Sequence, residues 1–221
     1  MVILRVTYFP IPHILLLFYY YRKERFMLIT FPYNRTNALL YARRWSLTRN
    51  PLFSNFSGIG GDCTNFVSQC IYAGSCVMNY TPTFGWYYLS PDDRAPAWTG
   101  VEFFYNFMTG NDGAGPYVSE TESGELQAGD VIQLGNDSGD FYHTLFVTGF
   151  TGSTYLVAAH SDDVLDRPLN TYTYAEARFL HIEGIRTEIP DRYAARFLQL
   201  YDCFPYIFSG GRMVREDTVS E

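Results

Sequence analysis

Apolar and polar positions alternate with a helical period first and a strand period later. From Tyr33 onward, Ala38, Tyr41, Ala42 and Trp45 form one apolar stripe, with Arg35, Arg43 and Arg44 mostly outside it. Asn34 stands where a side-chain oxygen can cap the first turn, so the spacing predicts a helix from about 35 to 45. Residues 49–61 read as a loop, carrying Asn50-Pro51 and glycines. A second helix is expected from Cys63: Gly60 and Gly61 permit a sharp entry, Asp62 is an N-cap, and Phe66, Val67, Cys70 and Ile71 recur on one face. Cys63 falls on that same side, and Gly74 is placed as a left-handed C-terminal cap. Residues 79–123 are rich in aromatics and turn formers, and only 100–109 has a helical stripe, with Val101, Phe104, Tyr105 and Met108.

After Gly129 the period becomes two. Residues 130–134 and 141–150 form a hairpin across the 135–140 turn, and further strands are expected at 155–160 and 178–185. Helices followed by an antiparallel meander make an α+β fold with helices packed on the sheet. Alternation puts His143 on the face of Leu145 and Val147, the face expected to meet the helices. The tail offers a helix at 194–201 and a polar end, 212–221, expected to be disordered.

Residues 1–32 contain the run Ile14-Leu15-Leu16-Leu17-Phe18-Tyr19-Tyr20-Tyr21. It falls short of the roughly 20 apolar residues that span a bilayer, so no stable membrane insertion is expected. As a leader it has only Arg5 before it and no small-x-small cleavage site after it; Met27 offers an alternative start, which would make the preceding residues non-native.

Composition narrows the function. The 221 residues are 47% hydrophobic and carry a net charge of −7, which suits a folded domain and argues against a nucleic-acid partner. Cys63, Cys70, Cys76 and Cys203 include no Cys-x-x-Cys pair and no Cys/His cluster, so neither a metal nor another cofactor is implied. Cys63 and Cys70 are two helical turns apart, roughly 10 Å by helix rise, too far for a disulfide. A reducing, cytoplasmic compartment fits these thiols, with secretion left open.

A thiol on a first helical turn lies at the positive end of the helix dipole, which favours the nucleophilic thiolate and moves its pKa down from about 8.5. The ordinary alternative is a buried cysteine acting as a small apolar side chain. Thiol catalysis also needs an imidazole and a third group to orient it. His143 is the candidate base and His160 the third group, with Asp162 and Asp163 as substitutes; His13 and His181 are weaker candidates. Trp86, Tyr87 and Trp98 could line a substrate groove, although aromatics of this kind more commonly pack in the core.

These residues carry a resemblance. Tyr33-Asn34-Arg35, Tyr41-Ala42-Arg43-Arg44-Trp45, Gly60-Gly61-Asp62-Cys63-Thr64-Asn65-Phe66-Val67-Ser68-Gln69-Cys70, Gly85-Trp86-Tyr87-Tyr88, Pro96-Ala97-Trp98, Gly129-Asp130-Val131-Ile132-Gln133 and Tyr142-His143-Thr144 resemble the amidase-like domain family, similar in pattern to the NlpC/P60 and CHAP cysteine peptidases and amidases. The resemblance runs over about 33–186 and implies a papain-like catalytic domain, flanked by 1–32 and a 187–221 extension. It also implies a Cys63–His143 pair hydrolysing an amide bond in a peptide or cell-wall-like peptide. His160 matches the third position of those relatives only if the connection before it is looped out. Two other readings stay open: a binding module with an inert thiol, and acyl transfer of the transglutaminase type. The oligomeric state is not legible in the sequence.

Overall fold

The computed structural model describes residues 26–190, 206–209 and 212–215. They belong to two compact units, one of residues 28–187 and one drawn from 1–27 and 188–221. The larger unit orders its elements as strand β1 (Phe26–Phe31, beginning at the unit boundary), helix α1 (Arg35–Trp45), α2 (Cys63–Ser75), α3 (Pro96–Thr99) and α4 (Val101–Gly110), then β2 (Gly115–Thr121), β3 (Val131–Gly135), β4 (Phe141–Thr151), β5 (Thr154–Ala159), β6 (Val164–Pro168) and β7 (Glu176–Pro190, of which the last three residues lie past the boundary). In the other unit, β8 (Tyr206–Ser209) pairs with β9 (Arg212–Arg215).

The fold is α+β. Seven strands form a sheet in the order β1-β7-β3-β4-β5-β6, with β2 also on β7; β2–β7, β3–β4, β3–β7, β4–β5 and β5–β6 are all antiparallel. Each sheet face has its own core. Val131, Phe146, Ala158, Leu180 and Ile182 pack with Ala38, Ala42, Phe66, Val67, Ile71 and Phe104 of the helices. Ile132, Leu134, Leu145, Val147 and Val157 alternate with them and build a second cluster with Leu126, Tyr155 and Leu169. This corrects one expectation: the face shared by His143, Leu145 and Val147 turns away from the helices, which instead meet Thr144 and Phe146.

Asn34 does cap α1, its side chain accepting from the Asn37 N–H at 2.9 Å. The α2 C-terminus differs from expectation, because the left-handed position is Cys76 (φ 54°) and Gly74 lies inside the helix. Gly74 is needed for close approach: a Cβ there would stand 2.4 Å from the Tyr33 ring and 2.7 Å from the Asn34 carbonyl oxygen. Helix α2 is also not amphipathic in place, since every residue of its first two turns is buried. The hairpin and the α1, α2 and α4 helices lie close to the expected positions, whereas β1, β2, β6 and α3 were not foreseen. Part of the expected disordered end is strand β9; the expected helix at 194–201 and the 14–21 apolar run lie outside the described residues. Among the described residues no helix is long and apolar enough to cross a membrane.

Candidate active site around Cys63

The chain enters α2 through Gly60 and Gly61, whose φ angles of 96° and 101° lie in the region that disfavours L side chains. Asp62 follows, but it does not cap the helix with its side chain. Its fully buried carboxylate instead accepts from the Phe56 N–H (3.1 Å), Asn65 Nδ2 (2.7 Å) and a ring nitrogen of His160 (2.8 Å). Arg49 Nε lies 2.8 Å away as an ion pair, off the line of a hydrogen bond, while Arg49 also grips Asp163 through both terminal nitrogens at 2.8 Å. Burial alone would raise the Asp62 pKa, but the hydrogen bonds from His160, Asn65 and Phe56 outweigh it and hold it below the usual carboxylate range. A carboxylate next to the thiol is thereby engaged elsewhere.

The other polar residues of α2 are paired as well. Thr64 Oγ1 meets Thr144 Oγ1 at 2.9 Å, Asn65 accepts from the Trp98 indole at 2.9 Å, Ser68 from the Trp86 indole at 3.0 Å, and Gln69 from the Tyr41 hydroxyl at 2.7 Å. These bonds make it possible to bury so polar a helix, since each unpaired group would cost about 1–3 kcal/mol. They also locate the aromatic insert. Trp86 and Trp98 are fully buried against α2, with ring centroids 4.8 Å apart, and do not line a groove; Tyr87 is half-buried and touches Tyr80.

Cys63 is the first residue of α2 and is 5% exposed. Its sulfur lies 3.8 Å from Thr64 Oγ1 and is met by the backbone N–H groups of Thr144, Thr64 and Cys63 itself. Burial is the largest influence and pushes the thiol above its ordinary value, with those donors working against it. The downward shift expected from the helix terminus alone is therefore reversed.

His143 is half-buried on β4, one peptide from the Thr144 N–H that meets the sulfur. Neither ring nitrogen has a hydrogen-bond partner among the described residues, and its ring stands 6.1 Å from that of Tyr172. Burial lowers its pKa to about 4; the Asp162 charge opposes that shift and Arg167 adds to it. Asp162 is thus the carboxylate felt by His143. His160, expected to orient His143, is committed otherwise: one nitrogen faces Asp62, the other the Trp45 carbonyl at 2.9 Å, and the ring stacks on Phe66 at 4.1 Å. His181 is held by Asp130 at 2.8 Å, and His13 lies outside the described residues.

Sequence reasoning missed Arg49, Thr144 and Arg167. Thr144 was within reach of strand alternation, since it faces opposite to His143; Arg49 and Arg167 come from loop and edge positions that only the fold brings in. Among the described residues no group of three or more His, Cys, Asp or Glu side chains is arranged to hold a metal ion.

The chain is 32% identical over 137 residues to the uncharacterized protein YhbB of Bacillus subtilis (strain 168), a match covering 60% of this chain and 43% of that protein. The chain therefore spans less than half the length of that relative. No solved structure matches. The family described as "Putative amidase domain" matches residues 32–183, which is most of the chain, and the protein belongs to that family, whose description points to amide bonds as its chemistry.

Proposed function

We propose that residues 33–186 form a papain-like domain, related to the NlpC/P60 type, that hydrolyses an amide bond in a peptide or cell-wall-like peptide through Cys63 and His143. The observation that carries this reading is the thiol at a helix N-terminus, met by the N–H of the peptide that joins His143 to Thr144. Cys63 Sγ attacks the carbonyl carbon, forming the S–C bond, while its proton passes to an imidazole nitrogen of His143, a step that requires this ring to leave the Tyr172 side of β4 and reach around the strand to the sulfur. The carbonyl electrons move to oxygen, where the backbone N–H groups at the α2 N-terminus, released from the sulfur as it bonds to carbon, supply donors. His143 returns the proton to the leaving amine as the C–N bond breaks, and water then cleaves the thioester.

With the thiol shifted up and the imidazole down, both are neutral at pH 7. Catalysis then runs through general-base transfer during attack, with no preformed ion pair. His143 is the base in this scheme because its nitrogens are uncommitted, whereas both nitrogens of His160 are occupied. His160 acts here by clamping Asp62, and Asp162 becomes the candidate third group. Tyr87 remains the aromatic candidate for substrate contact.

Mass spectrometry of products from a panel of muropeptides and simple peptides tests the reading. Cys63→Ala is expected to abolish product while the far-ultraviolet circular dichroism stays unchanged; undiminished cleavage by that variant would remove the proposal. Added amine separates hydrolysis from acyl transfer, because only a transferase forms the amine adduct in preference to acid. One observation favours the second reading, a binding module with an inert thiol: Cys63 is 5% exposed and its thiol is shifted upward. That reading predicts no turnover of any panel member and no iodoacetamide labelling of Cys63 beyond that of an unactivated thiol.

A further inference from the structure

A line of buried side chains runs from the surface to the Cys63 sulfur. Arg178 Nη1 lies 2.8 Å from Glu102 Oε1 and 3.5 Å from Gln133 Oε1. Gln133 Nε2 donates to the Val101 carbonyl at 2.9 Å and approaches Thr144 Oγ1 at 3.4 Å. Thr144 Oγ1 meets Thr64 Oγ1 at 2.9 Å, and Thr64 Oγ1 lies 3.8 Å from Cys63 Sγ. Gln133, Thr144 and Thr64 are completely buried.

Chemistry gives this line a direction. Guanidinium and N–H groups only donate and carbonyls only accept, so Arg178 and the Val101 carbonyl together fix the Gln133 amide with its oxygen toward Arg178 and its NH2 toward Thr144. A Thr144 oxygen that receives the amide proton is free to turn its own O–H toward Thr64. Thr64, receiving in turn, has its O–H free to point at the sulfur. We infer that Gln133, Thr144 and Thr64 are positioning residues that aim a hydroxyl donor at Cys63 Sγ and stabilise the thiolate as it forms.

The inference rests on Cys63 as the nucleophile of the proposed reaction. It does not depend on the substrate, because alkylation reads the thiolate directly. The relay meets the sulfur from the sheet side through Thr144 and from the helix through Thr64. The titratable groups around it are Arg178 and Glu102 at its outer end, His143 on β4 and Asp62 at the helix start, the last engaged with His160 and Arg49. None of these is altered by the test.

The test follows carboxamidomethylation of Cys63 in the full chain by iodoacetamide across pH 6–10, with peptide mapping to separate Cys63 from the exposed Cys76. Thr64→Val is isosteric and removes the donor. It should raise the midpoint of the labelling curve and slow labelling at pH 7.5 on the order of tenfold, since one lost hydrogen bond to a charged group corresponds to about one pKa unit. Thr64→Ser keeps the hydroxyl and should restore the wild-type curve. Gln133→Glu presents a carboxylate that draws the Thr144 proton backwards, so it should shift the curve the same way from a residue that does not touch the sulfur. If Thr64→Val fails to fold, Gln133→Glu and Thr64→Ser decide the matter. A Thr64→Val or Gln133→Glu curve superimposing on wild type, or a Thr64→Ser curve as displaced as that of Thr64→Val, overturns the relay. Loss of labelling control with amide cleavage still absent would count against the catalytic reading alone.

Discussion

Asp62→Asn isolates what the buried carboxylate contributes. The substitution keeps the shape but replaces one oxygen by a donor, which must face either His160 or the Phe56 N–H and Asn65 amide. Two effects compete in size. Arg49 is 24% exposed along its side chain and keeps its two contacts with Asp163, so losing its Asp62 partner costs at most about 1 kcal/mol, as for other partly solvated ion pairs. His160 is 1% exposed and cannot turn to water, so the loss there is that of a broken buried pair, about 3 kcal/mol. His160 therefore dominates. A loss of about 3 kcal/mol in a domain of this size lowers Tm by roughly 6–12 °C. Thermal unfolding followed by circular dichroism at pH 7 measures it, and the double variant Asp62→Asn with His160→Phe should recover a large part of the loss, because the phenyl ring keeps the stack on Phe66. A Tm within 2 °C of wild type for Asp62→Asn, or strictly additive losses in the double variant, would refute the argument that Asp62 and His160 stabilise α2 as a pair.

Two further expectations concern His143 and Gly74. With a folded pKa of about 4 against 6.5 for free imidazole, the unfolded chain binds the extra proton in that window, so stability is full above pH 6.5 and falls by about 3 kcal/mol as pH drops through 4. Urea unfolding of wild type against His143→Gln checks it, the variant losing that part of the slope; where turnover is measured, the acid limb of kcat/KM should fall near pH 4, and a limb near 6.5 would contradict the burial argument. Gly74→Ala should lower Tm, because the 2.4 Å and 2.7 Å approaches to Tyr33 and Asn34 outweigh the ~1 kcal/mol that alanine gains in a helix; an unchanged or raised Tm would show that α1 and α2 yield there.

The sequence by itself determined the local elements and the family. Helix α1 follows from its Ala38/Ala42 stripe and Asn34 cap, the β3–β4 hairpin from its turn cluster, and the position of Cys63 at a helix start from the Gly-Gly-Asp entry, all signals carried within a few residues. What depended on distant partners was not legible. Asp62 looked like a cap because the sequence cannot show that His160, 98 positions away, supplies a better partner than the helix N–H groups. Trp86 and Trp98 looked available because nothing local reveals that Asn65 and Ser68 hold their indoles inside. The sign of the thiol shift was decided in the same way: a helix terminus lowers a pKa and is a local feature, while burial raises it and belongs to the assembled fold. Only tertiary structure brings Thr144 and its peptide N–H to the sulfur, because a sheet and a helix 80 residues apart have to pack before that contact exists.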